Sequence, residues 1–313
     1  MDQADRVERR IKLHDIRVLM SVVQAGSMSK AAEHLGTAQP ALSRSISELE
    51  HTLGVRLLDR SPRGVEPTAY GRALIKRGVA VFDELRQGVR DIEFLADPTT
   101  GELRVGSTEA VAGAILSPLI ERLSRNHRRI AFHVVTGDLG RLLRSLVDRD
   151  IEIAISRLHQ PITDEQFAVE TLFYDSYVVV AGRRSPWARR RKIQLSELVN
   201  ERWSLLPLDT LPGALSAEAF KASGLETPRV TVSTLSLNVH NRLLMSGRFL
   251  SVQPSFLSKL PGRHPSVVAL PVELPSTRRP VGLVTLKNRT LSPLAQFFLD
   301  QVRGVVKPLK GAA

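Results

Sequence analysis

The sequence predicts an α+β multidomain protein: three short helices and a hairpin, one long helix, then an α/β half. Three observations carry this. Apolar residues recur at helical spacing in short bursts from Ile16 to Leu53. A seam of three- and four-residue steps runs from Ile75 to Ala96, and beyond Gly101 apolar strands alternate with amphipathic helices. At 313 residues the chain is too long for one ordinary core. With 42% apolar and 24% charged residues, wholesale disorder is excluded. The absence of cysteine excludes a disulfide scaffold, a thiol nucleophile and a cysteine zinc site, and fits a reducing cytoplasm. The acidic opening Met1 to Asp5 is unlike a secretory leader, and no apolar run approaches the ~20 residues that span a bilayer. A soluble cytoplasmic protein with no membrane partner is expected.

In the first helix Ile16, Leu19, Val22 and Val23 share a face, and Ala25-Gly26 stops the pattern. Ser27 is placed to cap a second helix, Met28 to Leu35, with Ala31, Ala32 and Leu35 inward. Gly36 permits the turn, and Ala32 and Gly36 are the small residues expected where two steeply crossed helices touch. Thr37 is placed to cap a third helix, in whose first turn Pro40 is tolerable. There Leu42, Ile46, Leu49 and Leu53 form an apolar stripe, and Gln39, Ser43, Arg44 and Ser47 face outward. Such a helix can enter a major groove ~12 Å wide, where Gln suits adenine and Arg suits guanine. Val55 to Leu58 and Val65, around the turn Ser61-Pro62-Arg63-Gly64, read as a hairpin wing carrying Arg56, Arg60 and Arg63 toward phosphate or the minor groove. The unit reads as a winged helix-turn-helix over residues 1–67. Its expected DNA-binding set is Ser27, Thr37, Gln39, Pro40, Ser43, Arg44, Arg60 and Arg63.

Bulk charge does not carry that reading. The net +12 is uneven: residues 1–97 hold 15 basic against 14 acidic side chains, leaving 29 against 18 for the remainder. The basic remainder can steer the molecule toward nucleic acid, attract an anionic ligand, or simply be solvated.

The stretch from Gly26 to Leu35, then Thr37 to Ile46, Leu49-Glu50, Leu53-Gly54, Leu57 to Arg60 and Thr68 to Gly71 resembles the LysR-type family of transcriptional regulators, nearly continuously over residues 13–75. Leu19, Met28 and Leu58 stand where phenylalanine is common in that family, changes of volume inside a core. The resemblance implies double-stranded promoter DNA as partner, a homodimer joined through the long helix and assembling into a tetramer, and contact with RNA polymerase.

A helix from Thr68 to Ala96 would be about 43 Å long. It carries the seam Ile75, Gly78, Phe82, Leu85, Val89, Ile92 and Ala96, and residues 68–97 form a linker and dimerisation helix. Pro98 to Gly101 reads as a linker. The segments Leu103 to Gly106, Val111 to Arg125, Ile130 to Val135, Leu139 to Arg149 and Ile151 to Ile155 read as βαβαβ. A second set follows from Tyr177 to Val252, and Val281 to Leu286 with the helix Pro293 to Val302 returns to the first set. The resemblance implies that residues 98–313 form a two-lobed α/β effector domain of the type 2 periplasmic-binding-protein kind. Its lobe I covers about 101–173 and 277–313, its lobe II about 174–276, with crossovers near Tyr174 and Ser276.

Ligands of open parallel sheets sit beyond the carboxyl ends of strands, at helix N-termini. This selects Ser107, Thr108, Thr136, Gly137, Ser156 and Arg157 from one lobe, and Thr210 and Thr234 from the other. Ser107, Thr108 and Thr136 also align with effector positions of the resembled family. The expected ligand is a small-molecule effector, a sugar or a carboxylate. Phe249 stands after Met245-Ser246-Gly247 where that family customarily has glycine, a substitution expected to narrow the cleft. The run Ser185 to Lys192 is similar to a branch that includes regulators of sugar-binding-protein genes.

An enzyme is disfavoured. The segment Gly101 to Thr108 lacks the lysine of a phosphate-binding loop, there is no nucleophile elbow or dinucleotide fingerprint, and the eight histidines are scattered with no pair at metal-ligand spacing. No cofactor and no metal are expected. A solute-binding protein would explain the second half alone and leave the first hundred residues without a role.

Overall fold

Leu42, Ile46 and Leu49 are buried along one stripe of a helix, and that stripe organises the first unit. The computed structural model describes residues 10–61, 64–260 and 264–310. The chain divides into two units, Met1–Gly88 and Val89–Ala313. In the first, helices α1 (Leu13–Ala25), α2 (Met28–His34) and α3 (Gln39–Leu53) share a core built from Val18, Leu19, Val22, Ala31, Ala32 and the α3 stripe. Below it, buried Ser45 donates to Asp15 at 2.7 Å and ties α3 to α1.

Local details differ from expectation for physical reasons. Gly36 has φ +61 but is exposed with open space around it, so it serves the chain reversal and not a close helix contact. Leu35, expected inward, ends α2 and is 36% exposed. Thr37 does not cap α3; its amide closes the turn on Ala32, and Ala38 takes the cap position. The hairpin pairs β1 (Leu58–Ser61) with β2 (Gly64–Pro67), later than expected for the first strand. The reason is Glu50, whose carboxylate accepts the N–H groups of Leu57 and Leu58 at 2.7 and 3.2 Å and withholds them from a ladder. The Val65 amide donates to the Gly26 carbonyl at 3.0 Å, anchoring the hairpin on the turn between α1 and α2. A side chain at Gly64 would lie 2.7 Å from that carbonyl.

The long helix α4 spans Ala69–Ala96, and the Thr68 hydroxyl accepts the Gly71 amide at its start. Its seam is not uniform. Gly78 and Phe82 are buried, Gly78 against Ile16 and Met20, whereas Leu85, Val89, Ile92 and Leu95 are 49–77% exposed.

The first strand of the second unit follows almost at once. Asp97 accepts the Thr99 amide and pairs with Arg129, and Thr100 already lies in strand β3 (Thr100–Ser107), so the linker shrinks to Pro98 and Thr99. A helix follows from 109 to 126 (α5), interrupted by a π-helical segment, Ala112–Leu116. Then come β4 (Arg129–Thr136), α6 (Leu139–Val147), β5 (Ile153–Arg157), β6 (Phe167–Asp175) and β7 (Tyr177–Gly182). The chain continues through β8 (Trp203–Leu205), α7 (Leu211–Ala222), β9 (Val230–Ser233), α8 (Leu237–Met245) and β10 (Leu250–Pro254). It ends with α9 (Phe256–Lys259), β11 (Val267–Ala269), β12 (Arg279–Leu286) and α10 (Pro293–Val306). The segment from Leu195 to Leu198 is a 3-10 turn.

Two five-stranded sheets result, ordered β4-β3-β5-β12-β6 and β11-β7-β10-β8-β9. In the first, β3, β4 and β5 run parallel and β12 antiparallel to β5. Ile115, Leu119, Phe298 and Val302 cover one face, Leu142 and Leu146 the other. Trp203, Phe220 and Leu215 fill the core on the second sheet. The chain crosses between sheets at Ser176 and returns through Ser276, a non-glycine residue at φ +61.

Candidate functional site

Two surfaces carry the expected residues. On α3, Gln39, Pro40 and Arg44 are exposed and Ser43 is half-buried, opposite the stripe of leucines. The Ser29 hydroxyl donates to Gln39 Oε1 at 3.0 Å, and Arg60 on β1 donates to the Ser43 hydroxyl at 3.4 Å. The hairpin thus brings its arginine onto the polar face of α3, and residues on α2, α3 and β1 form one continuous donor surface. Ser27 takes the extended cap conformation with no side-chain bond to its helix. Thr37 is exposed. Arg63 lies outside the described residues. Glu50 entered the sequence reading only as part of the family resemblance; its role as the internal brace that sets where the hairpin starts is visible only in the fold.

The second surface is a cavity of about 580 Å³ inside the second unit, between the two sheets. It is lined by Thr108, Thr136, Gly137, Ser156, Arg157 and Thr210, six of the eight expected positions. Its size suits one small molecule. Four helices begin at its wall: α5 after Thr108, α6 after Asp138, α7 after Thr210 and α8 at Leu237. Helix starts present unpaired amides and a positive dipole end. Some are already occupied. Asp138 accepts the Arg141 amide at 2.8 Å, and Glu109 accepts the Leu237 amide at 2.9 Å, a bond from one lobe to the helix of the other.

Ser107 and Thr234 do not line the cavity. Along β3 successive side chains alternate, so exposing Thr108 buries Ser107, which is fully buried with its hydroxyl unbonded. Thr234 is spent on the turn into α8: its hydroxyl accepts the Ser236 amide at 3.1 Å and its carbonyl holds His240 Nε2 at 3.0 Å. Phe249 is not among the lining residues and does not narrow the cleft.

The floor holds the chemistry. Arg157, 4% exposed, donates to Asp175 Oδ2 and to the carbonyls of Asp175 and Thr277, each at 2.7 Å. Asp175 also accepts from the Ser255 hydroxyl and from the amides of Ser255 and Phe256. Both crossovers between the sheets and the start of α9 are therefore tied at one buried ion pair. The Arg157 Nε–H has no hydrogen-bond partner, and its guanidinium stacks 4.3 Å over the Tyr177 ring. Burial pushes the Tyr177 hydroxyl up to about 12. Burial, then the nearby Arg157 and Arg279, brings His159 down to about 4, so this ring is neutral beside the Tyr177 hydroxyl at 3.3 Å. His240 Nδ1 meets the hydroxyls of Ser204 and Ser251 at 2.8 and 3.2 Å. Burial holds this histidine below its ordinary range. Its Nε2 faces a carbonyl, which requires the proton there. Asp175, His159 and His240 escaped sequence reasoning because the fold, and no motif spacing, brings their partners to them.

The model of the LysR substrate binding domain matches residues 96–307, and that of the bacterial regulatory helix-turn-helix protein, lysR family, matches residues 13–72. The chain belongs to the LysR family. As a LysR-family protein it is a DNA-binding transcriptional regulator with an effector-binding domain, not an enzyme. Among its relatives are the uncharacterized HTH-type regulator YdcI of Escherichia coli, 27% identical over 97% of this chain and 98% of that one. The transcriptional dual regulator GltC of Bacillus subtilis is 25% identical over 93% and 96%. Full-length OxyR from Pseudomonas aeruginosa superposes with a TM-score of 0.63 at 20% identity, covering 97% of this chain and 96% of that one. CbnR, a LysR family regulator, does so at 0.54 and 21%, covering 93% and 100%. No described helix is long and apolar enough to cross a membrane.

Proposed function

We propose that this LysR-family regulator reads promoter DNA through Gln39, Ser43 and Arg44, with Ser27, Thr37 and Pro40 at the start of the paired helices and Arg60 and Arg63 gripping the backbone. The support is the exposed donor face of α3 with Arg60 held against Ser43. Residues 1–67 form the reading unit, 68–97 the dimerisation helix and 98–313 the effector domain. The open half of the α4 seam is what supports a homodimer, and a tetramer, contact with RNA polymerase and a cytoplasmic location complete the reading.

The effector is a small carboxylate, held between the lobes by Thr108, Thr136, Gly137, Ser156 and Thr210. One observation favours it over a sugar. Arg157, buried on the cavity wall, keeps one N–H without a partner, and a buried charged donor left unpaired is costly. An oxyanion against it and the helix starts would remove that cost. Thermal melting of the full chain against a panel of aliphatic and aromatic acids and sugars tests the reading. An acid should raise the melting temperature, and Thr136→Val should abolish that rise while melting normally unliganded. Sugars alone raising it, independently of Thr136, would refute the carboxylate assignment.

A further inference from the structure

The second sheet has two ends of opposite character. One faces the cavity through Tyr177, Val252, Gln253 and, just past β8, Leu206. At the other, β7 leaves the sheet at Gly182, while β10, β8 and β9 enter it at Leu250, Trp203 and Val230. The register sets these ends side by side: Leu250 pairs with Ala181 and with Trp203, and Trp203 pairs with Val230. Each of the four ends carries arginine. Arg183 and Arg184 follow β7, Arg248 precedes β10 by two residues, and Arg202 and Arg229 immediately precede β8 and β9; all five are exposed. Strands lie ~4.8 Å apart, so the four ends span about 15 Å.

The chain between them adds to the charge. Residues 183–202 hold seven basic side chains and two acidic ones. Of the acids, Glu197 is paired with Arg190 at 3.0 Å, which in turn stacks on Trp187. Here sits much of the basic surplus of the second half. It lies at the end of the sheet away from the cavity, so it does not serve to draw an anionic effector in.

We propose that this arginine edge is a second DNA contact, gripping the phosphate backbone of duplex that flanks the site read by the helix-turn-helix. Guanidinium forks match phosphate oxygens, and a duplex carries one charge per ~1.7 Å, so a 15 Å edge runs along about nine. No large apolar side chain is exposed at this edge among the described residues, so nothing there would anchor in lipid. The duplex is already bound by the same chain, and joining two contacts on one polymer raises the effective concentration of the second.

The test uses the full-length protein and a long duplex from its own promoter region. In Arg184→Gln/Arg202→Gln/Arg248→Gln, the slope of log K against log salt should shallow by about 2–3, near 0.9 per phosphate lost. Footprints should lose their flanks and keep the centre, and the corresponding lysine triple should restore most of the slope. An unchanged slope and footprint in a variant that melts like the wild type overturns the proposal. So does sedimentation of the wild type with phosphatidylserine vesicles alongside an unchanged DNA slope, which would assign the edge to lipid. Because the chain has no cysteine, Arg202→Cys accepts a single tethered iron chelate. Cleavage of flanking DNA supports the contact even if the triple variant misfolds, and no cleavage contradicts it.

Discussion

His159 is neutral because burial and two guanidinium groups oppose its charge, and that has a measurable consequence. Its proton is bound near pH 6.5 in the unfolded chain but only near 4 in the folded one. Between those values the unfolded state holds more protons, so this residue's contribution is complete above pH 6.5 and is lost as pH falls toward 4. From pH 7 to 5 the loss should be on the order of 1–2 kcal/mol. Comparing urea unfolding of the wild type and His159→Gln at both values checks it, with the variant losing less stability on acidification. The same residue shows what a sequence conceals. Thr136 and Ser156 were legible because chain order alone places a strand's end beside a helix start. Arg157 meets Asp175 and the Thr277 carbonyl, and His159 meets Tyr177, across 18 to 120 residues, and no spacing rule announces such contacts.

Elements were legible where their period was undisturbed. The α3 stripe and α4 follow helical spacing, α3 closed by Gly54 at its C-terminus and α4 opened by Thr68, and they appear within a few residues of expectation. Strand β6 was not foreseen. It pairs with β12 across a register shift at Val281 and Gly282, and an irregularity of that kind breaks the in-out alternation by which a strand is recognised. The π segment of α5 was equally invisible, since one extra residue per turn leaves the apolar pattern nearly intact. In α4 the seam divides where Phe82 ends the buried part and Leu85 begins the open one. If the open part joins two copies, Ile92→Glu, placing a charge in that contact, should shift sedimentation toward monomer and leave the melting of the helix-turn-helix unit unchanged. A variant that remains dimeric would assign dimerisation elsewhere.

At the scale of the whole molecule, two units perform separable tasks: one exposes a donor face for nucleic acid, the other encloses a cavity roofed by helix starts and floored by a buried ion pair. The general architecture followed from composition and periodicity, and the family resemblance added the two-lobed arrangement, which the sheets bear out. The ion pair across the crossovers was beyond either. Selection of base sequence by the outward face of α3 is tested by comparing the binding of wild type and Arg44→Ala to promoter and scrambled duplexes across a salt series. The ratio of specific to nonspecific affinity should fall by about 5- to 150-fold, the equivalent of 1–3 kcal/mol for one bidentate base contact, while affinity for scrambled DNA changes little. An unchanged ratio would contradict selection by this face.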